Sequence, residues 1–177
     1  MTRNQFISIT SLVTIVLLPA TVMAQAEKSS ANHNGTEQAA SLRAQAIALY
    51  DHPDRAADIA RLHLQELQYR TASDPEAVQA LFLAAFFFKT AGRLGDAGRV
   101  YEQAAERVLS LGDVMAGAQA YLDAAAVAEQ AGNIKSTRRL TKKALLLAES
   151  PHLRAEQQQW IRNQIYSTPA LAASLKD

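Results

Sequence analysis

The sequence predicts an all-α fold of stacked antiparallel helical hairpins, and three observations carry that expectation. Apolar residues make up 49% of the 177-residue chain, and many of them are alanine, the best helix former. Glycine and proline are scarce, at seven and five, and Val and Ile are thinly spread. Gly92 and Gly132 each close an alanine-rich run and stand 40 residues apart, and a further step of 40 backwards lands on His52, inside Asp51-His52-Pro53-Asp54. A fixed period of this size marks stacked helical units.

Taken in order, the chain opens on a segment that reads as a secretory signal peptide over 1–24. Arg3 supplies the positive start, Phe6 to Leu18 the apolar stretch, and Pro19 a break before small residues Val22 and Ala24. The expected cut lies between Ala24 and Gln25, with Ala24-Gln25-Ala26 as a second frame, and the destination is periplasmic or secreted. The apolar stretch falls short of the ~20 residues that span a bilayer. A membrane-tethered adaptor with an uncleaved leader is the alternative. Residues 25–35 are polar and read as a flexible linker.

Helices follow from their caps. Thr36 opens one to about Tyr50, and Pro53 suits the first turn of a second to about Arg70. Asp74-Pro75-Glu76 is a cap, a first-turn Pro and a first-turn acid. Its helix ends near Ala91. Asp96, Asp113 and Asn133 cap the next three, to about Leu111, Ala131 and Glu149. Ser150-Pro151 opens a seventh to about Tyr166, and Thr168-Pro169 a short last one. Connections of a few residues make neighbours antiparallel. The reading is three hairpins over 36–150 and a capping helix and tail over 151–177, with Trp160 assigned to the core.

Around the glycine turns the pattern resembles the tetratricopeptide repeat. That family places a small residue, an aromatic and a small residue in the second helix, and a small residue and an aromatic in the first. Ala85, Phe88, Ala97, Tyr101 and Ala104 match it well, and Ala125, Ala128, Thr137, Thr141 and Ala144 match in part. Gln45 and Leu64 occupy small-residue positions and depart from it, and the period of 40 exceeds the family's 34. The resemblance covers about 37–150. It implies a short right-handed α-solenoid whose first helices line a concave groove for another protein or peptide. The groove residues it implies are Gln79, Phe82, Phe86 and Lys89, then Gln119, Leu122, Ala126 and Glu129, and in the first unit Leu42, Ala46 and Leu49.

Several function classes have no equipment here. The chain has no Cys, which removes disulfides, thiol nucleophiles and thiolate metal sites. Beyond the leader, 17 basic and 17 acidic residues balance, against nucleic-acid binding, which needs a basic excess. None of His33, His52, His63 and His152 stands at a metal-ligand spacing. His63 is read as a surface residue. Gly92 to Gly98 bounds a helical turn with no strand before it, so it is no phosphate loop. Asp54 and Asp58 read as a solvated helix face. No enzyme activity and no cofactor is expected. A hydrolase or transferase reading would need a perturbed carboxylate or His in a closed pocket.

Two features remain as candidates. Phe86-Phe87-Phe88 fan over about 200° of one helix, more than one core-facing stripe covers. Either that helix is sandwiched on both sides or one Phe is exposed. Lys135, Arg138, Arg139, Lys142 and Lys143 follow i, i+3, i+4, i+7 and i+8 and form a basic stripe on one helix. The stripe is either a solvated face or a contact for an anionic surface. Residues 27–131 hold 9 basic and 14 acidic groups and residues 132–177 hold 8 and 3, so head-to-tail assembly of copies into a structural envelope protein is a further alternative. The leading expectation is an exported adaptor or scaffold that works by binding alone.

Overall fold

The structure, a computed structural model, describes residues 20–71 and 73–176. Residues 1–19 of the expected signal segment over 1–24 lie outside them. The chain divides into two compact units, Met1–His33 and Asn34–Asp177. In the first, the described backbone is helical.

The described chain is helical with no strand. It comprises α1 (Ala20–Ile47), α2 (Ala56–Glu66), α3 (Pro75–Thr90), α4 (Leu94–Ser110), α5 (Val114–Gln130), α6 (Ile134–Leu147), α7 (Ala155–Ser167) and α8 (Pro169–Ser174), with single 3-10 turns at Pro53–Arg55 and Leu67–Tyr69 flanking α2. From α2 to α6 each helix packs on the next, and α7 and α8 then fold against α5 and α6.

The turns explain this order. Gly92, Gly112 and Gly132 have φ of 72°, 86° and 69°, left-handed values that glycine adopts without strain. After each, a backbone N–H reaches back to a carbonyl five residues earlier: Arg93 to Phe88 at 2.9 Å, Asp113 to Val108 at 3.0 Å and Asn133 to Ala128 at 2.8 Å. This closes the free carbonyls of a helix end and reverses the chain. One turn therefore recurs every 20 residues, half the spacing legible between Gly92 and Gly132. The Asp113 side chain accepts from Ala116 N–H at 2.9 Å and that of Asn133 from Ser136 N–H at 3.1 Å, which starts the next helix at once.

Alanine sets the helix spacing. Ala84, Ala85, Ala97, Ala104, Ala105, Ala118, Ala124, Ala125 and Ala144 are fully buried where consecutive helices meet. One core joins α2, α3 and α4 with Val127 of α5, and a second joins α5 to α8 around Tyr121, Leu122, Leu140, Ile161 and Ile165. Phe82 packs against both.

Four expectations about the elements are corrected. Helix α1 starts at Ala20, so the backbone of 25–35 is helical and Thr36 is not its cap. Helix α4 starts at Leu94, and Asp96 turns its carboxylate to Arg93 and Arg99 on the same side. Residues 151–153 form a turn, so α7 starts at Ala155, where Gln157 Oε1 accepts from the Arg154 N–H at 3.0 Å. Trp160 is 37% exposed, outside the core, which Ile161 and Ile165 fill instead.

Candidate functional site

The three consecutive phenylalanines of α3 meet three environments. The Asp74 side chain accepts from Glu76 N–H at 2.8 Å and fixes the start of the helix, and hence its rotation. Phe88 is buried, with the Arg93 guanidinium 4.9 Å over its ring. Phe87 is half-buried, its ring centroid 4.9 Å from that of Tyr50 and 6.3 Å from that of His63. Phe86 is 53% exposed and stands edge-on to Phe87 at 5.3 Å. Of the two arrangements open to the sequence, the structure adopts the one with a Phe in solvent.

Around Phe86, Gln79 and Lys89 are exposed on α3, and Phe82 is half-buried with its ring 6.3 Å from that of Tyr101. On α5, Gln119 donates to Asp123 at 3.0 Å. Burial raises the Asp123 carboxyl above its ordinary range, against the opposing hydrogen bond from Gln119 and the charge of Lys89. Burial and the Asp123 charge likewise raise the Tyr101 phenol. Asp123 thus belongs with Gln119, Lys89 and Tyr101. The sequence reading missed it, although it sits four residues after Gln119, one helical turn on.

Leu122, by contrast, is 5% exposed and sits in the second core, so it cannot line an open face. Leu42 and Ala46 are buried as well. Glu129 is exposed near the end of α5, where it lines a recess of about 410 Å³ with Ile134, Ala170 and Ala173.

The basic stripe of α6 is largely occupied from within. Arg139 holds Glu102 of α4 with both terminal nitrogens, one at 2.7 Å from Oε2, and Lys143 Nζ lies 2.8 Å from Oε1 of the same carboxylate. Lys143 also rests 4.8 Å above the Tyr121 ring. Arg138 Nε donates to the Ser174 carbonyl at 2.9 Å and ties α6 to α8. The hydrogen bond from Arg139, with Lys143 adding to it, brings the Glu102 carboxyl down to about 2 against the effect of burial. Lys135 and Lys142 are exposed.

The largest departure from expectation is His63. It is fully buried, as is Glu66 one turn on. His63 Nδ1 lies 3.2 Å from Glu66 Oε2, and His63 Nε2 lies 3.0 Å from the Tyr50 hydroxyl. Arg70 donates to Glu66 Oε1 through Nε at 2.6 Å, and Arg43 Nη2 approaches the same oxygen at 2.8 Å. Arg70 also reaches Asp74 at 2.9 Å and Glu76, and Arg43 donates to the Glu76 carbonyl at 3.2 Å and to Gln79 at 3.3 Å. Burial lowers the His63 imidazole below its ordinary value, more than Glu66 raises it. The spacing His63, Glu66, Arg70 follows one helix face, and that was the available signal. His63 and Glu66 continue the buried stripe of Ile59 and Ala60, a polar pair where the period calls for apolar side chains.

Among the described residues no group of three or more His, Asp or Glu side chains is placed to hold a metal ion. None of the described helices is long and apolar enough to cross a membrane. No protein-family model matches the chain, and no curated protein matches it.

Proposed function

We propose that this chain is a helical-repeat interaction module of tetratricopeptide-like design that docks a segment of another protein on the face formed by α3 and α5. The observation that carries this reading is Phe86. It keeps half its surface in water while Phe82, Phe87 and Phe88 around it are drawn inward. Aromatic side chains, Phe included, are enriched at the cores of docking interfaces. Asp123 adds polarity to the same face. Its raised carboxyl favours a partner group that donates a hydrogen bond or carries a positive charge. The partner is a helix or extended peptide with one apolar side chain over Phe86 and a donor beside Asp123.

The leader, its small-residue cut site and the lack of Cys support an exported, periplasmic or secreted module released between Ala24 and Gln25. N-terminal sequencing of the mature protein tests that part. Binding is the whole mechanism in this reading, and no catalytic step is assigned. The pairing of Arg139 and Lys143 with Glu102 favours docking over head-to-tail assembly, because it engages two of the five stripe cations within one chain.

Docking is tested by placing a photoreactive side chain at Gln79 in cells, identifying the captured protein and measuring its binding to the purified chain. Phe86→Ala should abolish both capture and binding. Equal capture from the Phe86→Ala chain, or from a photoreactive side chain at Leu146 on another helix, overturns the reading.

A further inference from the structure

Tyr50 joins the aromatic face to the buried polar network. It is 38% exposed, and through Phe87 its ring continues the face that carries Phe86. Its hydroxyl meets a histidine that has no surface at all.

The partners of that histidine fix its hydrogens. Glu66, gripped by Arg43 and Arg70, is a carboxylate that only accepts. His63 Nδ1 must therefore carry the proton that faces it. In a neutral ring Nε2 is then bare, and the Tyr50 hydroxyl donates inward. What Tyr50 then has left for a further contact is oxygen lone pairs. When His63 takes a second proton, Nε2 becomes a donor, the Tyr50 oxygen must accept from it, and the Tyr50 hydrogen turns away from the imidazole.

We propose that the buried His63–Glu66 pair sets the hydrogen-bonding polarity of Tyr50, making Tyr50 a specificity-determining residue of the α3 and α5 docking face. With His63 neutral, the face selects a partner donor at Tyr50, such as a backbone N–H, a side-chain amide or an ammonium. With His63 protonated it selects a carbonyl or carboxylate there. This inference rests on the docking reading for its consequence, though the relay itself exists in the free chain.

The charges around the ring permit the switch. Glu66 faces it from α2, Arg43 from α1 and Tyr50 from the turn after α1, while Arg70, after α2, and Asp74 and Glu76, at the start of α3, join the network through Glu66, Arg43 and Arg70. Two guanidiniums stand against three carboxylates, which leaves one negative charge that a proton on His63 would balance. Burial opposes that proton and holds the ring neutral near neutral pH.

The test is long-range proton–nitrogen NMR on the labelled full chain, from about pH 8 to about pH 5. At the upper end His63 should show a protonated Nδ1 and a bare Nε2. As His63 titrates, the Tyr50 ring resonances should move with the same midpoint. Tyr50→Phe leaves the protonated Nε2 without an acceptor, so it should lower the His63 midpoint by about half a unit or more. A proton on Nε2 at the upper end, a Tyr50 ring that stays still while His63 titrates, or an unshifted midpoint in Tyr50→Phe would each overturn the relay. Tyr50→Phe removes only the hydroxyl, and its melting temperature reports whether it folds. No partner is present, so a failed relay leaves docking standing, and failed capture at Gln79 leaves the relay standing.

Discussion

His63 Nδ1 lies 3.2 Å from Glu66 Oε2, and neither side chain has any surface open to water. Burying a carboxylate costs several kcal/mol unless charges and hydrogen bonds surround it. Here Arg43, Arg70 and His63 surround it, and they come from three separate stretches of chain. The pair therefore fastens α1, α2 and the approach to α3 together.

Glu66→Ala leaves two guanidiniums facing each other around a cavity. It should destabilise the fold by about 3–5 kcal/mol, read from chemical denaturation. A loss below about 1 kcal/mol would mean that Arg43 and Arg70 find Asp74 and Glu76 sufficient.

Stability should fall with mild acid, and the sign follows from His63. Its native pKa lies below the ordinary imidazole value of 6.5. The unfolded chain therefore binds a proton first as pH drops through that value. The penalty on the native state grows from there down to the native pKa, stays in full below it, and is absent above 6.5. His63→Gln should flatten the dependence in that window, measured as melting temperature against pH.

Glu102 governs a second, more acidic window. Its native value of about 2 lies below the ordinary 4.5, so its contribution is full above 4.5 and is lost as pH falls towards 2. Glu102→Gln should cost about 1 kcal/mol at neutral pH, since the partners Arg139 and Lys143 are partly exposed. The same change should make binding of the chain to anionic vesicles or to a cation exchanger stronger, because Arg139 and Lys143 are released.

Phe86 and Phe88 separate docking from folding. Phe88→Ala should cost about 3–5 kcal/mol, as a buried ring does. Phe86→Ala should cost about 1 kcal/mol or less, because half its ring is already in water. Comparable unfolding midpoints for the two variants would show that Phe86 belongs to the core.

Gly117 of α5 packs directly under the Leu109 side chain of α4. A methyl group there would sit 2.5 Å from Leu109 Cγ and Cδ2 across the α4–α5 contact. Gly117→Ala gains helix propensity of about 1 kcal/mol but displaces Leu109, an overpacking cost of about 1–3 kcal/mol. A net loss in a denaturant melt is the expected result, and a stabilised variant would show that Leu109 turns away freely.

The sequence by itself determined the helical fold and the position of its turns. Alanine abundance, Asp74-Pro75, Asp113, Asn133 and the glycines at 92 and 132 act over a few residues, so their physics is local. It misplaced the helix starts at Asp96 and Ser150, where the expected cap lost to ion pairs with Arg93 and Arg99 and to a turn before Ala155. It also named Gln79, Phe82, Phe86, Lys89 and Gln119, which the structure leaves at least partly accessible on α3 and α5. Only the tertiary structure decided that Leu122 is core, that Asp123 belongs beside Gln119, that Glu102 of α4 answers Arg139 and Lys143 of α6, and that His63 is buried against Glu66. Each of those depends on partners 20 to 40 residues away or on how far one helix is rotated against the next, and spacing along a single helix carries neither quantity.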